Sequence, residues 1–356
     1  MAPPRPPRPT DRRQRREAQS RASRAREVES SRRLTAGEKR GRSSLLGAVV
    51  VALIAAVVVV VLATRKAPSE PAAAQPPITL HTLLSLPAAS AVVRGDGGAW
   101  VTDDTRDRLF RFDPATGRTG ASVKLDGRPV ALVLTGKDLW VANMVSNTVE
   151  EYVAATLRKV GSVAVPTGPS GLAVAKGQLW VASVIENSVT PISLTTGKVG
   201  YSVAVPAGAV RVAAGFDSLW VTGTSDQVTP ISFAVHGTGP VLHTITVGQG
   251  PIGVTVGGGS VWVANSAVGT VSRIDPETHT VVRTYRLGGD PLTLAVSGGR
   301  LWVGDGTGQS LRTISFSGGV GKAVPIGTTP RGVLPVGDGV WVVTANPGRV
   351  LAADPS

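Results

Sequence analysis

An all-β fold, a seven-bladed β-propeller of four-stranded antiparallel blades, is predicted by three features of this 356-residue chain. Seven tryptophans recur at one spacing. Past residue 78 every segment is short, β-branched and bounded by turn residues, and the two ends of the repeat region complement each other. Trp100, Trp140, Trp180, Trp220, Trp262, Trp302 and Trp341 stand 40, 40, 40, 42, 40 and 39 residues apart. All seven are followed by Val, and all but Trp100 are preceded by Leu or Val. A fixed period near 40 around an aromatic strand centre marks propeller blades.

Four regions precede or make up this array. Residues 1–43 are rich in Arg, Ser, Pro and Ala without a sustained apolar stripe, and are expected to be a disordered, basic cytoplasmic tail. Ser43–Thr64 carries no charge, and a helix over 44–64 is expected to span the membrane. About 20 residues at about 1.5 Å each cross a hydrocarbon core of roughly 30 Å. Residues 65–77 read as a Pro/Ala-rich linker, and 78–356 as the propeller, with 78–84 closing its last blade.

Charge sets the expected topology. Residues 1–44 hold fourteen Lys/Arg against five Asp/Glu, whereas residues 67–356 hold 21 against 19. The net charge of +13 therefore belongs mainly to the tail. A basic N-terminal flank places the N-terminus in the cytoplasm and the propeller outside the membrane. A cleaved signal peptide is the competing reading. The apolar run is too long for one, and Ala72-Ala73-Ala74 lies far beyond its end. The tail has two candidate partners, anionic lipid of the inner leaflet and nucleic acid. Orientation accounts for much of its charge, so nucleic acid is not expected. Cysteine is absent, which excludes disulfides and thiolate chemistry.

One repeat shows the blade's grammar. Residues 251–256 form an apolar strand, Gly257–Gly259 a turn, and residues 260–264 a second strand carrying Trp262. A loop over 265–269, a third strand over 270–274, the turn Asp275-Pro-Glu-Thr278 and a fourth strand over 280–287 complete it. The residue eleven before each Trp is Pro129, Pro169, Pro251, Pro291 or Pro330 in five repeats, and Ala89 or Ala209 in two. Proline suits the first residue of an innermost strand, where its missing N–H costs little. The seventh repeat stops after three strands, near 333–336, 340–343 and 349–353, while one spare strand, Ile78–Leu84, precedes the first. Pairing the two removes a sheet edge and closes the ring.

Leu139-Trp-Val-Ala-Asn143, Val271-x-x-Ile-Asp-Pro-x-Thr278 and Val247-Gly-x-x-Pro-x-Gly-Val254 resemble YVTN-type β-propeller repeats of bacterial surface proteins. The repeat is also similar to the propeller of virginiamycin B lyases. The resemblance spans roughly 78–356 and implies the fold; such blades serve many purposes. The lyase family implies a top-face histidine with magnesium. His81 and His243 are expected in outermost strands, with His236 and His279 in or beside the turns before such strands. No histidine thus falls in the loops of that face.

Candidate ligand groups gather at the channel mouth. The loops leading into the innermost strands share a face with the loops that follow the Trp strands. The lead-in loops carry Arg128, Arg211, Asp290 and Arg331. Three converging arginines favour an anionic or carboxylate ligand through charge-assisted hydrogen bonds; for each alone, inter-blade salt bridging is the alternative. Three residues after the tryptophans stand Asp103, Asn143, Ser183, Gly223, Asn265, Asp305 and Thr344, all polar but Gly223, read either as turn residues or as a polar ring at the mouth. The loop Asp103–Asp107 is expected to be a solvated tip or a recognition tip. Gly248-x-Gly250-x-x-Gly253 matches a dinucleotide fingerprint, but a strand rather than a helix is expected after it, which makes it a blade junction.

No activated nucleophile, acid/base pair or metal cluster stands out, and no cofactor or metal is expected. The leading expectation is a membrane-anchored, extracytoplasmic binding or scaffold module for an unknown protein or small anionic ligand. A lyase-like or quinoprotein-like enzyme with its site in the channel is the alternative.

Overall fold

In the computed structural model, the described residues are 76–355 apart from 207, 234–240 and 242. The expected tail and membrane helix, and the linker up to residue 75, lie outside them. Among the described residues no helix is long and apolar enough to cross a membrane.

Seven four-stranded antiparallel sheets follow one another along the chain. Blades 1 to 6 cover residues 91–124, 129–164, 169–204, 211–246, 251–286 and 291–325. Blade 7 takes three strands, Pro330–Val336, Gly339–Thr344 and Gly348–Pro355, from the C-terminal end. Its fourth and outermost strand is Ile78–Leu86, paired antiparallel with the last strand from Ile78 opposite Pro355 to Leu86 opposite Gly348. The expected closure of the ring is therefore present, two residues longer than anticipated. Joining the two ends in one sheet leaves no unpaired C-terminal strand at the rim.

The tryptophans sit in the second strands and are buried, none more than 5% exposed. Each packs onto the following blade. Trp100 meets Leu132, Leu139 and Tyr152; Trp140 meets Leu179 and Ile192; Trp180 meets Val212 and Leu219. Trp220 meets Val261 and Ile274, Trp262 meets Leu294 and Leu301, and Trp302 meets Val340 and Leu351. Trp341 completes the circle against Val92, Val101 and Phe112, the two rings 6.0 Å apart. Both faces of a second strand are covered, so Leu-Trp-Val is an unbroken apolar run rather than an alternating one. Four indole N–H groups donate to carbonyls, Trp100 to Ala154 of the next blade at 3.0 Å and Trp220, Trp262 and Trp302 to Gly215, Gly257 and Ser297 of their own.

The innermost strands of five blades begin at the expected prolines, and each carries a bulge there. Pro129 lies opposite Asn143 but Ala131 opposite Ala142, and Pro169, Pro251, Pro291 and Pro330 repeat the shift. A bulge adds an unpaired residue and re-aims its side chain. That residue, ten before the Trp, is Val130, Ser170, Ile252, Leu292 or Arg331. In blades 3 and 5 the residue that follows is a glycine, Gly171 or Gly253, which allows neighbouring strands to close up. A Cβ on Gly253 would lie 2.7 Å from the Leu292 carbonyl oxygen. The fingerprint-like glycines thus form a blade junction, followed by the strand Pro251–Gly257.

The fourth strands are less regular than expected. In blades 3, 4 and 6 they shrink to Val203–Ala204, Ile245–Thr246 and Val324–Pro325. In blade 3 the third strand holds Pro191, whose carbonyl accepts from Gly200 on the outer side. A residue's N–H and C=O point the same way across an antiparallel ladder, so proline removes the donor facing the fourth strand. Pro230 occupies the matching position opposite Trp220 in blade 4.

Replacing the fully buried Trp180 with alanine should destabilise the protein by about 3–5 kcal/mol, read from the denaturant midpoint. A change near zero would remove the indole from the interface between blades.

Candidate functional site

The lead-in loops and the post-Trp loops share one face, tied by main-chain bonds such as Met144 N–H to Arg128 C=O (3.0 Å) and Gly306 N–H to Asp290 C=O (2.8 Å). At its centre the innermost strands enclose a cavity of about 330 Å³. Arg128, Arg211 and Arg331 all line it, with Asp104 as the one carboxylate. Bulge residues Val130, Ile252 and Leu292 form an apolar part of the same wall. Below it the channel widens to about 510 Å³, sharing Ser90, Val130, Arg211 and Arg331 with the mouth.

The three guanidinium groups are held differently. Arg331 donates from Nη1 to Asp104 Oδ2, a link between blades 7 and 1 across 227 residues of sequence. Arg128 has a left-handed backbone, φ +44°, pinned by its N–H donating to Asp107 Oδ1 at 2.6 Å, and its side chain is exposed. Arg211 is half-buried in the wall. Its Nη1 donates to the carbonyls of Ser170 (2.6 Å) and Val210 (3.1 Å), and no described carboxylate pairs with it. Burial lowers its pKa, because a half-buried cation loses hydration that two carbonyl dipoles replace only in part. The group remains charged at neutral pH. It is a cation in need of a counter-charge.

The residues three past each Trp turn into the blades and do not line this cavity. Asp103, fully buried, accepts from the N–H groups of Thr105 and Arg106 (both 3.0 Å) and from the Thr105 hydroxyl (2.8 Å). Asn265 donates to Thr270 and Ser272 hydroxyls at 3.0 and 2.9 Å. Asn143 donates at 2.6 Å to Glu150, a fully buried carboxylate paired with Lys159. The hydrogen bond from Lys159 to Glu150 raises the lysine's pKa despite desolvation. These are local turn and blade bonds, with a geometric cause. At Asp103 the loop closes back on its own strand, so the carboxylate faces the turn's N–H groups, whereas Asn143 and Asn265 bond side chains of the adjoining strand.

Asp305 and Asp290 form a separate pair. Asp305 Oδ1 accepts from Asp290 N–H at 2.9 Å and from Gly308 N–H at 3.0 Å. Burial, reinforced by the Asp305 charge, pushes the Asp290 carboxyl above its usual range, against a lowering hydrogen bond with Ser266. Asp290 is not among the residues lining the mouth cavity.

The loop Asp103–Asp107 is not a solvated tip throughout. The Asp104 side chain is only 8% exposed because it reaches inward to Arg331. Of the histidines, His81 lies in an outermost strand as expected and His279 in a turn, its ring 5.5 Å from Trp220. His243 precedes the short strand Ile245–Thr246 rather than belonging to it, and His236 lies outside the described residues. Among the described residues no group of three or more His, Cys, Asp and Glu side chains is placed to hold a metal.

Sequence reasoning found the three arginines but missed Asp104 as a partner and the bulge position as the one that lines the mouth. The signal was present: the residue after each repeat's proline, ten before the Trp.

No family model matches the chain, and no curated protein matches it in sequence. Solved structures similar to it include virginiamycin B lyase from Staphylococcus aureus, as a catalytically inactive histidine-to-alanine variant with quinupristin. It has a TM-score of 0.68 and 16% identity, over 78% of this chain and 99% of that one. A streptogramin B lyase (TM-score 0.68, 15% identity, 78% and 98% covered) and U3-55K (0.66, 11%, 80% and 99%) are also similar. Propellers of this kind establish the fold of the chain.

The Asp290 shift carries a pH dependence. A folded-state pKa raised above the unfolded value favours the folded state at low pH, and that contribution is lost as pH rises through the window between the two. Asp290→Asn should therefore raise the melting temperature at pH 7, with the gain shrinking as the pH falls below the carboxylate range. A pH-independent effect would count against this assignment.

Proposed function

We propose that the propeller is a binding module whose mouth holds a small anion, or the carboxylate of a larger partner. The observation that carries this reading is Arg211, a guanidinium half-buried in the wall with carbonyls but no described carboxylate beside it. Arg128 and Arg331 stand at the same cavity, and a single carboxylate, Asp104, offsets three cations. An oxyanion placed there would gain charge-assisted bonds in a site partly withdrawn from water, where they are stronger than in bulk solvent. The asymmetry of the three arginines gives them different roles. Arg211 supplies a fixed charge, Arg331 is oriented by Asp104, and Arg128 sits outermost where an arriving ligand meets it first.

The lyase chemistry of the similar propellers does not transfer with the fold. The described histidines of this chain lie in an outermost strand, beside one, and in a turn after a third strand, away from the mouth.

Binding is tested with the full-length chain in lipid nanodiscs, titrated with acetate and with inorganic phosphate by calorimetry. Either anion should bind, and Arg211→Gln should weaken it by about 10- to 100-fold, the worth of one hydrogen bond to a charged group. Binding by the folded variant equal to that of the parent would overturn the role of Arg211.

The uncharged run over 44–64 and the basic tail support the further proposal that the propeller is displayed outside a membrane, with the N-terminus inside. Protease added to intact cells should then degrade the propeller while sparing the tail. Full protection of the propeller would reverse the topology.

A further inference from the structure

The mouth is charged on one part of its wall and apolar on another. We infer that the ligand is an anionic amphiphile, an oxyanion head on a linear apolar tail, with the head at the three arginines and the tail down the channel. This rests on the reading of the mouth as an anion site and adds the chemical class of the rest of the ligand.

Two observations carry it. At the mouth, the bulge delivers Val130, Ile252 and Leu292 into the cavity that holds Arg128, Arg211 and Arg331. A site for a compact, hydrated anion has no use for three aliphatic side chains beside its cations, because they raise the cost of desolvating the ligand without returning a bond. An alkyl group attached to the anion turns that contact favourable.

Below the mouth, the partly exposed Leu134, Leu172, Val174, Val333 and Leu334 line the channel. Val174 is 40% exposed although it belongs to an innermost strand, so aliphatic surface faces the channel. From Arg331 to Leu334 the strand advances three residues, roughly 10 Å at about 3.3 Å each, the reach of a medium-length alkyl chain. The volume of about 510 Å³ falls in the range of small-molecule sites. It leaves room for water along the free main-chain edges of the innermost strands, so these need not lose their hydrogen bonds to admit a tail. Arg94, at the far end, lies 5.3 Å from the centre of the Trp341 ring, which engages it away from the aliphatic band.

The experiment uses the full-length chain in lipid nanodiscs, with empty nanodiscs as the blank. Acetate, butanoate, hexanoate, octanoate, octyl phosphate and octan-1-ol are titrated by calorimetry. Affinity should rise about three- to four-fold per methylene from butanoate to octanoate. Octan-1-ol, which lacks the charge, should bind at least about ten-fold more weakly than octanoate. Octyl phosphate binding would support the oxyanion head, and its ratio to octanoate tells a phosphate ester from a carboxylate. Val174→Asn, at a side chain already open to the channel, should flatten the chain-length dependence with little change in melting temperature.

Equal affinities from acetate to octanoate would overturn the amphiphile and leave the anion site standing. Octan-1-ol binding as tightly as octanoate would overturn the placement of the head. A chain-length slope unchanged by Val174→Asn in the folded variant would overturn the channel as the tail's place. No binding by acetate, inorganic phosphate or octanoate would overturn this inference and the anion site together.

Discussion

The burial of one indole between each blade and the next is the contact on which the ring depends. A four-stranded sheet has two faces, and neither can stay in water when its second strand is Leu-Trp-Val. Stacking blades around an axis covers both, provided the last blade meets the first. Trp341 against Phe112 and Val92 supplies that final contact, and Ile78–Leu86 makes it a shared sheet. The aromatic contacts set the spacing between blades, and hence the width of the channel that the innermost strands surround.

The site follows from a defect in that regularity. Proline at the start of an innermost strand has no N–H to give to the ladder, and in all five blades that carry it the pairing slips there by one residue. The slip delivers Val130, Ile252, Leu292 and Arg331 to the mouth. The same feature that opens each blade thus furnishes the surface a ligand would meet. In blades 3 and 5 the glycine after it, Gly171 or Gly253, lets the adjoining strand approach closely.

Charge placement obeys a related logic. Where a buried charge has a structural task, it is matched: Glu150 has Lys159 and Asn143, and Asp104 has Arg331. Arg211 departs from this pattern, held by carbonyls that orient it without neutralising it. Leaving a half-buried cation in this way carries a desolvation cost that the two carbonyls offset only in part. Such departures from polar satisfaction are expected where a ligand completes the site.

Much of the fold was legible because it rests on local, periodic features. The Trp spacing counted the blades, turn residues bounded the strands, and the incomplete seventh repeat with its spare first strand implied the closure. The shrunken outer strands of blades 3 and 4 were not legible, since they depend on which ladder side Pro191 and Pro230 face. At the mouth the arginines could be named from sequence, as each lies beside or just after the repeat's Pro/Ala position. Asp104 could not, because its partner is 227 residues away and meets it only when the ring closes. Nor could Asp103, Asn143 and Asn265 be excluded, since a polar residue at a loop base looks the same whether it faces the turn or the channel. Periodicity and turn chemistry act within a blade, so the sequence by itself determined the blades, their number and their order. Which side chains share a cavity depends on strand register and on the meeting of distant blades, and that was decided only by the tertiary structure.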